Sequence, residues 1–174
     1  AMNGLKLYIS SIVALVAVAT FAVSGSIDWR HGSVALVGVT IGGYLAASGA
    51  ADAAELAYGQ FDGADNMTDR QGALTTLANG ASARREEALD AFYQRYQGNA
   101  LVLDKWFQTQ ALSTREDTAQ QVEALVGHPD FTLANPNRAR ALIGAFGVNQ
   151  RAFHDISGRG YRFYADQLIA LDKL

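Results

Sequence analysis

The chain has 174 residues, no cysteine and a formal net charge of −3. That length holds one ordinary domain, or a small domain with an appendage. The lack of cysteine excludes disulfides and thiolate metal sites, and the slight acidic balance gives no reason to expect a nucleic-acid partner. The charge is unevenly spread, because residues 1–51 carry only Lys6, Asp28 and Arg30 as charged groups.

The first elements in chain order are two uncharged apolar runs, Leu7 to Val23 and Gly32 to Ala51. Each is close to the roughly 20 residues that a helix needs to cross a bilayer. Between them "SGSIDWRHG" supplies a glycine turn, two charges and Trp29, a residue that favours the membrane interface. The pattern predicts a transmembrane-like helical hairpin over residues 1–46, with membrane contact through residues 7–51. Gly38 and Gly42 form a GxxxG spacing, followed by Gly43, that would let another helix backbone approach closely in lipid. A secretory signal peptide, with Lys6 as its basic end and Ala22-Val23-Ser24 as its cleavage site, is the alternative for the first run.

The string "LKLYISSIVALVAVATFAVSGSIDWRHGSVALVGVTIGGYL" resembles a helix-loop-helix unit of the TauE/SafE family of sulfite exporters, over about residues 3–45. The resemblance implies part of a multispanning anion carrier. Two helices alone enclose no transport path, so this reading requires oligomerisation.

Beyond residue 47 the pattern becomes that of soluble amphipathic helices. In "NMTDR", Asn66 or Thr68 caps a helix and Asp69 sits favourably in its first turn. In "SARREEALDAFYQRYQGN", Leu89, Phe92, Tyr93 and Tyr96 share one face, with Ser82 as cap and Gly98 as stop. Val102, Leu103, Trp106 and Phe107 repeat the pattern, and Ser113 with Glu116 has the spacing of a capping box for a helix ended by Gly127 and Pro129. "NPNRARALIGAFG" places Asn135 as cap, Pro136 in the first turn and Leu142, Ile143 and Phe146 on the buried face. A last helix after "SGRG" carries Phe163, Tyr164, Leu168 and Leu171. Short connections between helices of about three turns predict antiparallel pairs stacked into a bundle or solenoid-like array. The expected fold class is all-α throughout.

The same region carries a second resemblance. "YLAASGAADAAELAYGQFDGADNMTDRQGAL", "LVLDKWFQTQA" and "HPDFTLANPNRARALIGAFGVNQRAFHDISGRGYRF" are similar to the C-terminal helical domain of the bacterial aminopeptidase N family, gluzincin zinc peptidases, over about residues 44–174. The resemblance implies a truncated, bowl-like helical array over residues 47–174 that packs on a zinc-bearing catalytic domain and restricts entry to short peptides. Residues 43–46 belong to both patterns, so a fused or composite chain is expected there.

No catalytic constellation is present. A zinc aminopeptidase needs HExxH, a further glutamate ligand and, by resemblance, GAMEN, and the chain has none of these. His31, His128 and His154 stand apart, without ligands at metal spacing. No cofactor is expected in this chain, and zinc is implied only for the complete enzyme. Arg138 and Arg140 invite a role because cations near a helix start are slightly unfavourable. By resemblance, this segment lines the substrate channel, where Arg140 would attract a peptide carboxylate. The alternative is a surface salt bridge to an acid such as Asp130. A third reading is a helical binding module with no enzymatic context. Location follows from the first residues: membrane-associated with the hairpin, bacterial cytoplasm without it.

Overall fold

The computed structural model describes residues 53–173. The predicted hairpin, with Gly38, Gly42 and Gly43, lies outside the described residues, as does His31. No helix among the described residues is long and apolar enough to cross a membrane. Within 53–173 every regular element is helical, as expected for an all-α chain.

Helices α1 (Ala53–Gly63) and α2 (Met67–Ala78) form the first pair. α1 buries Ala53, Ala57 and Phe61, spaced one turn apart, so a single stripe faces the core. Asn66 caps α2: its Oδ1 accepts from Asp69 N at 2.9 Å, and its Nδ2 donates back to the Asp69 carboxylate at 2.8 Å. The reciprocal bonds satisfy one of the free N–H groups of the first turn and fix the entry angle of the chain.

Helices α3 (Arg84–Tyr96) and α4 (Ala100–Ala111) follow. Ser82 Oγ accepts from Arg84 N at 3.2 Å, and Asn99 Oδ1 accepts from Val102 N at 3.3 Å. Leu89 and Phe92 of α3 are buried against Leu103, Trp106 and Phe107 of α4, while Tyr93 and Tyr96 are only half-buried. The Trp106 indole donates to Leu89 O at 2.9 Å, so the largest core side chain also ties the two helices by a buried hydrogen bond.

The capping box at Ser113 and Glu116 does not form. Helix α5 spans Thr118–Val126, and its cap position, Asp117, makes no side-chain capping bond. Ser113 is buried, and its hydroxyl donates to Ala78 O at 3.0 Å, while Glu116 lies in solvent. Arg115 grips Asp117 through two bonds of 2.8 and 2.9 Å, which shapes the connection into a turn and delays the helix. Tertiary demand at α2 thus overrides the local capping pattern.

Asn135 begins the next helix as expected, accepting from Asn137 N and Arg138 N at 3.0 and 3.3 Å with Pro136 in the first turn. It runs as α6 (Pro136–Ala139), a π turn (Arg140–Gly144) and α7 (Ala145–Val148). The π turn is where three consecutive residues, Ala141, Leu142 and Ile143, are all buried, and it lies against α4. Asn149 caps the short α8 (Gln150–Phe153) and sends its amide to Ala111 O and Ser113 O at 2.9 and 2.8 Å, tying α8 to the end of α4.

Gly158 at φ 69° reverses the chain into α9 (Arg159–Leu171). Gly160 lies so close to the Phe153 backbone that a Cβ there would collide with it, which lets α8 and α9 approach. In α9 Phe163 is buried and Tyr164 half-buried, but Leu168 and Leu171 are 51% and 44% exposed, so the predicted four-residue stripe is covered only at its first end.

Each helix packs on its neighbour and often on the next but one, with α1 touching α2 and α3, and α5 touching α4, α8 and α9. That pattern is the solenoid-like array. Phe92, Phe107, Phe146, Leu74, Leu142 and Val122 form its most enclosed layer, each contributing roughly 1.5–3 kcal/mol through burial.

Candidate functional site

The two candidate arginines are two residues apart on one helix, so they point to nearly opposite sides of it. Arg138 turns inward and is 4% exposed. Its Nε donates to Asp104 Oδ1 at 2.6 Å, Nη1 donates to Asp130 O at 2.7 Å, and Nη2 reaches Ala100 O at 3.5 Å. The guanidinium also lies over the Phe107 ring, 4.9 Å from its centroid. One cation therefore joins α4 to the loop before α6, with its donors satisfied by oxygen and its flat face by an aromatic ring.

Arg140 points outward. It is exposed, donates to Asn137 Oδ1 at 3.3 Å and forms no ion pair among the described residues. The expected salt bridge to Asp130 is made by neither arginine. The Asp130 carboxylate instead accepts from the Tyr93 hydroxyl at 2.6 Å, and that bond holds the phenol pKa above its ordinary value. What the Asp130 segment gives Arg138 is a backbone carbonyl.

Neither described histidine is placed as a ligand. His128 packs against Tyr93, Trp106 and Phe107, with ring centroids 5.1, 5.3 and 5.6 Å away, and its Nδ1 accepts from Asp130 N at 3.1 Å. His154 shares a 2.6 Å hydrogen bond with the Tyr161 hydroxyl. No three His, Asp or Glu residues among the described residues cluster as a metal site, so the described donor set does not fit the zinc of the resembled family.

An open depression between α5 and α9 is lined by Glu123, Ser157, Arg159, Arg162, Phe163 and Asp166. Arg159 fills part of it with a paired contact to the Glu123 carboxylate at 2.7 and 2.6 Å, which keeps the Glu123 pKa below the usual carboxylate value. Arg162 donates to Ser157 O at 3.0 Å. The arrangement holds two elements together and presents no activated nucleophile or poised acid and base pair.

Sequence reasoning missed two further buried arginines. Arg70 donates to Phe61 O at 3.3 Å, to Ala64 O and to the Tyr96 hydroxyl at 3.1 Å. Arg85 donates to Ala78 O at 3.2 Å and pairs with Glu86. Each fastens a carbonyl at a helix end or in a connection, where no backbone donor is available.

Stacked amphipathic helices tied by buried arginines bound to backbone carbonyls define a helical-repeat scaffold. The chain belongs to the family described as "Domain of unknown function (DUF3458_C) ARM repeats", whose model matches residues 32–174. That match begins inside the segment that resembles an exporter hairpin. Among relatives, aminopeptidase N of Caulobacter vibrioides is 44% identical over 115 residues, 66% of this chain and 13% of that protein. Aminopeptidase N of Haemophilus influenzae is 41% identical over 114 residues, again 13% of its length. Among solved structures, Legionella pneumophila aminopeptidase A in complex with aspartic acid superposes with a TM-score of 0.77 at 31% identity, covering 84% of this chain and 18% of that one. The described helices are therefore the ARM-like C-terminal helical domain of aminopeptidase N, and the chain spans about an eighth of the length of the curated relatives it matches.

Proposed function

We propose that this domain works as the non-catalytic part of an aminopeptidase N-like zinc metallopeptidase, shaping access to its peptide channel. The observation that carries the reading is the split between the two arginines: Arg138 is consumed in holding the helix on α4, and Arg140, two residues on, is exposed without a carboxylate partner among the described residues. A buried, multiply bonded neighbour fixes the helix from which Arg140 projects, and a fixed guanidinium suits a peptide carboxylate.

The partner in this reading is the zinc-bearing catalytic domain, which lies in the part of the relatives that this chain does not cover. Exposed apolar side chains on α9, Tyr161, Leu168, Ile169 and Leu171, support docking to a larger body, since a lone domain of this size leaves few such residues together. The division near residue 46, between the charge-poor segment and the helical domain, belongs to the same proposal and rests on composition. So does a place in the bacterial cytoplasm.

The test is Arg140→Glu in the complete enzyme, with matched peptides ending in a free carboxylate or an amide. A charge-assisted contact worth about 1.5–3 kcal/mol predicts a KM rise of roughly tenfold or more for the free acid, with kcat and the amide little changed. An unchanged KM for both peptides would remove Arg140 from the channel.

A further inference from the structure

Asn79 and Gly80 form an Asn-Gly pair at the end of α2, and every polar group that controls its chemistry is engaged. Asn79 Nδ2 donates to Thr75 O at 2.8 Å. Its Oδ1 accepts from Thr114 N at 2.7 Å and from the Thr114 hydroxyl at 3.0 Å, across the connection between α4 and α5. Gly80 N donates to Leu77 O at 2.9 Å, and Gly80 O accepts from Arg115 Nη1 at 2.6 Å. The side chain of Asn79 is nevertheless exposed, so water reaches it.

We propose that Asn79–Gly80 is a site of spontaneous deamidation that the fold keeps silent, and that its modification records the parting of α2 from the α4–α5 connection. The reaction needs Gly80 N to attack the Asn79 side-chain carbonyl carbon. A new C–N bond forms, Gly80 N gives up its proton, the bond to Nδ2 breaks and ammonia leaves. Water then opens the cyclic imide at either carbonyl, giving aspartate or isoaspartate, with no change in oxidation state. A glycine in second place leaves this attack unhindered because it has no Cβ.

In the folded domain the attack is blocked twice. The nucleophilic nitrogen is turned to Leu77 O, and the Asn79 ψ of −13° belongs to a helical turn that the side-chain contacts hold. Cyclisation has to wait for local opening, so its rate follows the open population. Closure after reaction is not equivalent. The donor to Thr75 O is replaced by a carboxylate oxygen that faces another oxygen, and isoaspartate also inserts a methylene into the backbone between α2 and α3. This inference is independent of the peptidase reading.

The experiment is mass spectrometry of the peptide containing residue 79 after incubation of the full chain in mildly alkaline buffer, folded and in urea, alongside folded Thr114→Val. The urea sample should gain the mass of deamidation at residue 79 at least roughly tenfold faster than the folded chain, because only the open form reacts. Thr114→Val, an exposed change that removes one of the two donors to Oδ1, should react several-fold faster than wild type while keeping its helical circular dichroism. Equal rates in buffer and urea, or no modification in urea, would overturn the proposal. If Thr114→Val does not fold, the comparison of folded and urea samples of the wild-type chain decides alone.

Discussion

The stretch from α2 to α4 and the far half of α9 are built on the same amphipathic rule and end in opposite states. In the first, Leu74, Phe92 and Phe107 are fully enclosed, and even charged residues are drawn inside, as Arg70 and Arg85 show, with Arg138 of α6 packed onto α4 from outside the stretch. In the second, Leu168, Ile169 and Leu171 lie in solvent although they repeat at helical spacing. Apolar periodicity states which face a helix prefers to bury, whereas a neighbouring element decides whether that face is covered. The enclosed region has helices on several sides, and the end of α9 has none among the described residues.

The largest expected effect comes from breaking the enclosed side at its charge. Arg138→Ala leaves Asp104 without its buried cation and Asp130 O without its donor, so the unfolding free energy should drop by about 3–5 kcal/mol in urea titrations. A drop within ±0.5 kcal/mol would mean that Arg138 belongs with the surface residues.

A smaller effect should appear with pH at the ion pairs that bridge elements. The Arg159 hydrogen bonds depress the Glu123 pKa below its ordinary 4.5, and those of Arg115 depress Asp117 below 3.8. A carboxyl lowered in the folded state means that the unfolded chain binds more protons in this range. Stability is therefore fully present above the ordinary values and is lost as pH falls through the folded ones. Urea midpoints measured between about pH 6 and about pH 3 should decline, and Arg159→Gln should flatten part of that decline. An identical slope in the variant would exclude Glu123 as a contributor.

The smallest effect is expected on the uncovered side. Leu168→Ala should change the stability of this chain by no more than roughly 0.5 kcal/mol in the same titrations, since the side chain is already half in water. A larger loss would show that something does cover α9.

The contrast also explains what could be read from the chain alone. The α4 stripe, the Asn66 and Asn135 caps and the stop at Gly127 depend on residues within a turn of one another, so spacing revealed them. Arg138 could be singled out because it sits in an awkward place near a helix start, but its role depends on Asp104 and on a carbonyl at residue 130, both distant in sequence. Arg70 and Arg85 stand in first turns as well, but they, like Asn149, bind backbone oxygens that only the fold brings near. Ser113 misled for the same reason: its hydroxyl is spent on Ala78, thirty-five positions away. Arg140 shows the reverse, since its exposure is visible only after its neighbour is placed.

The π turn acts as a phase shifter. At its end Ala145 N donates to Arg140 O, five residues back where an ordinary helix would reach four. One extra residue per turn offsets the two halves of the helix by about 100° relative to an unbroken one. With that offset, Phe146 faces the core after the turn while Arg138 reaches Asp104 before it. Deleting one residue there would restore a plain helix with both ends in their present register, whereas winding all five residues as ordinary helix would swing one end against the other by that angle, like a misaligned key.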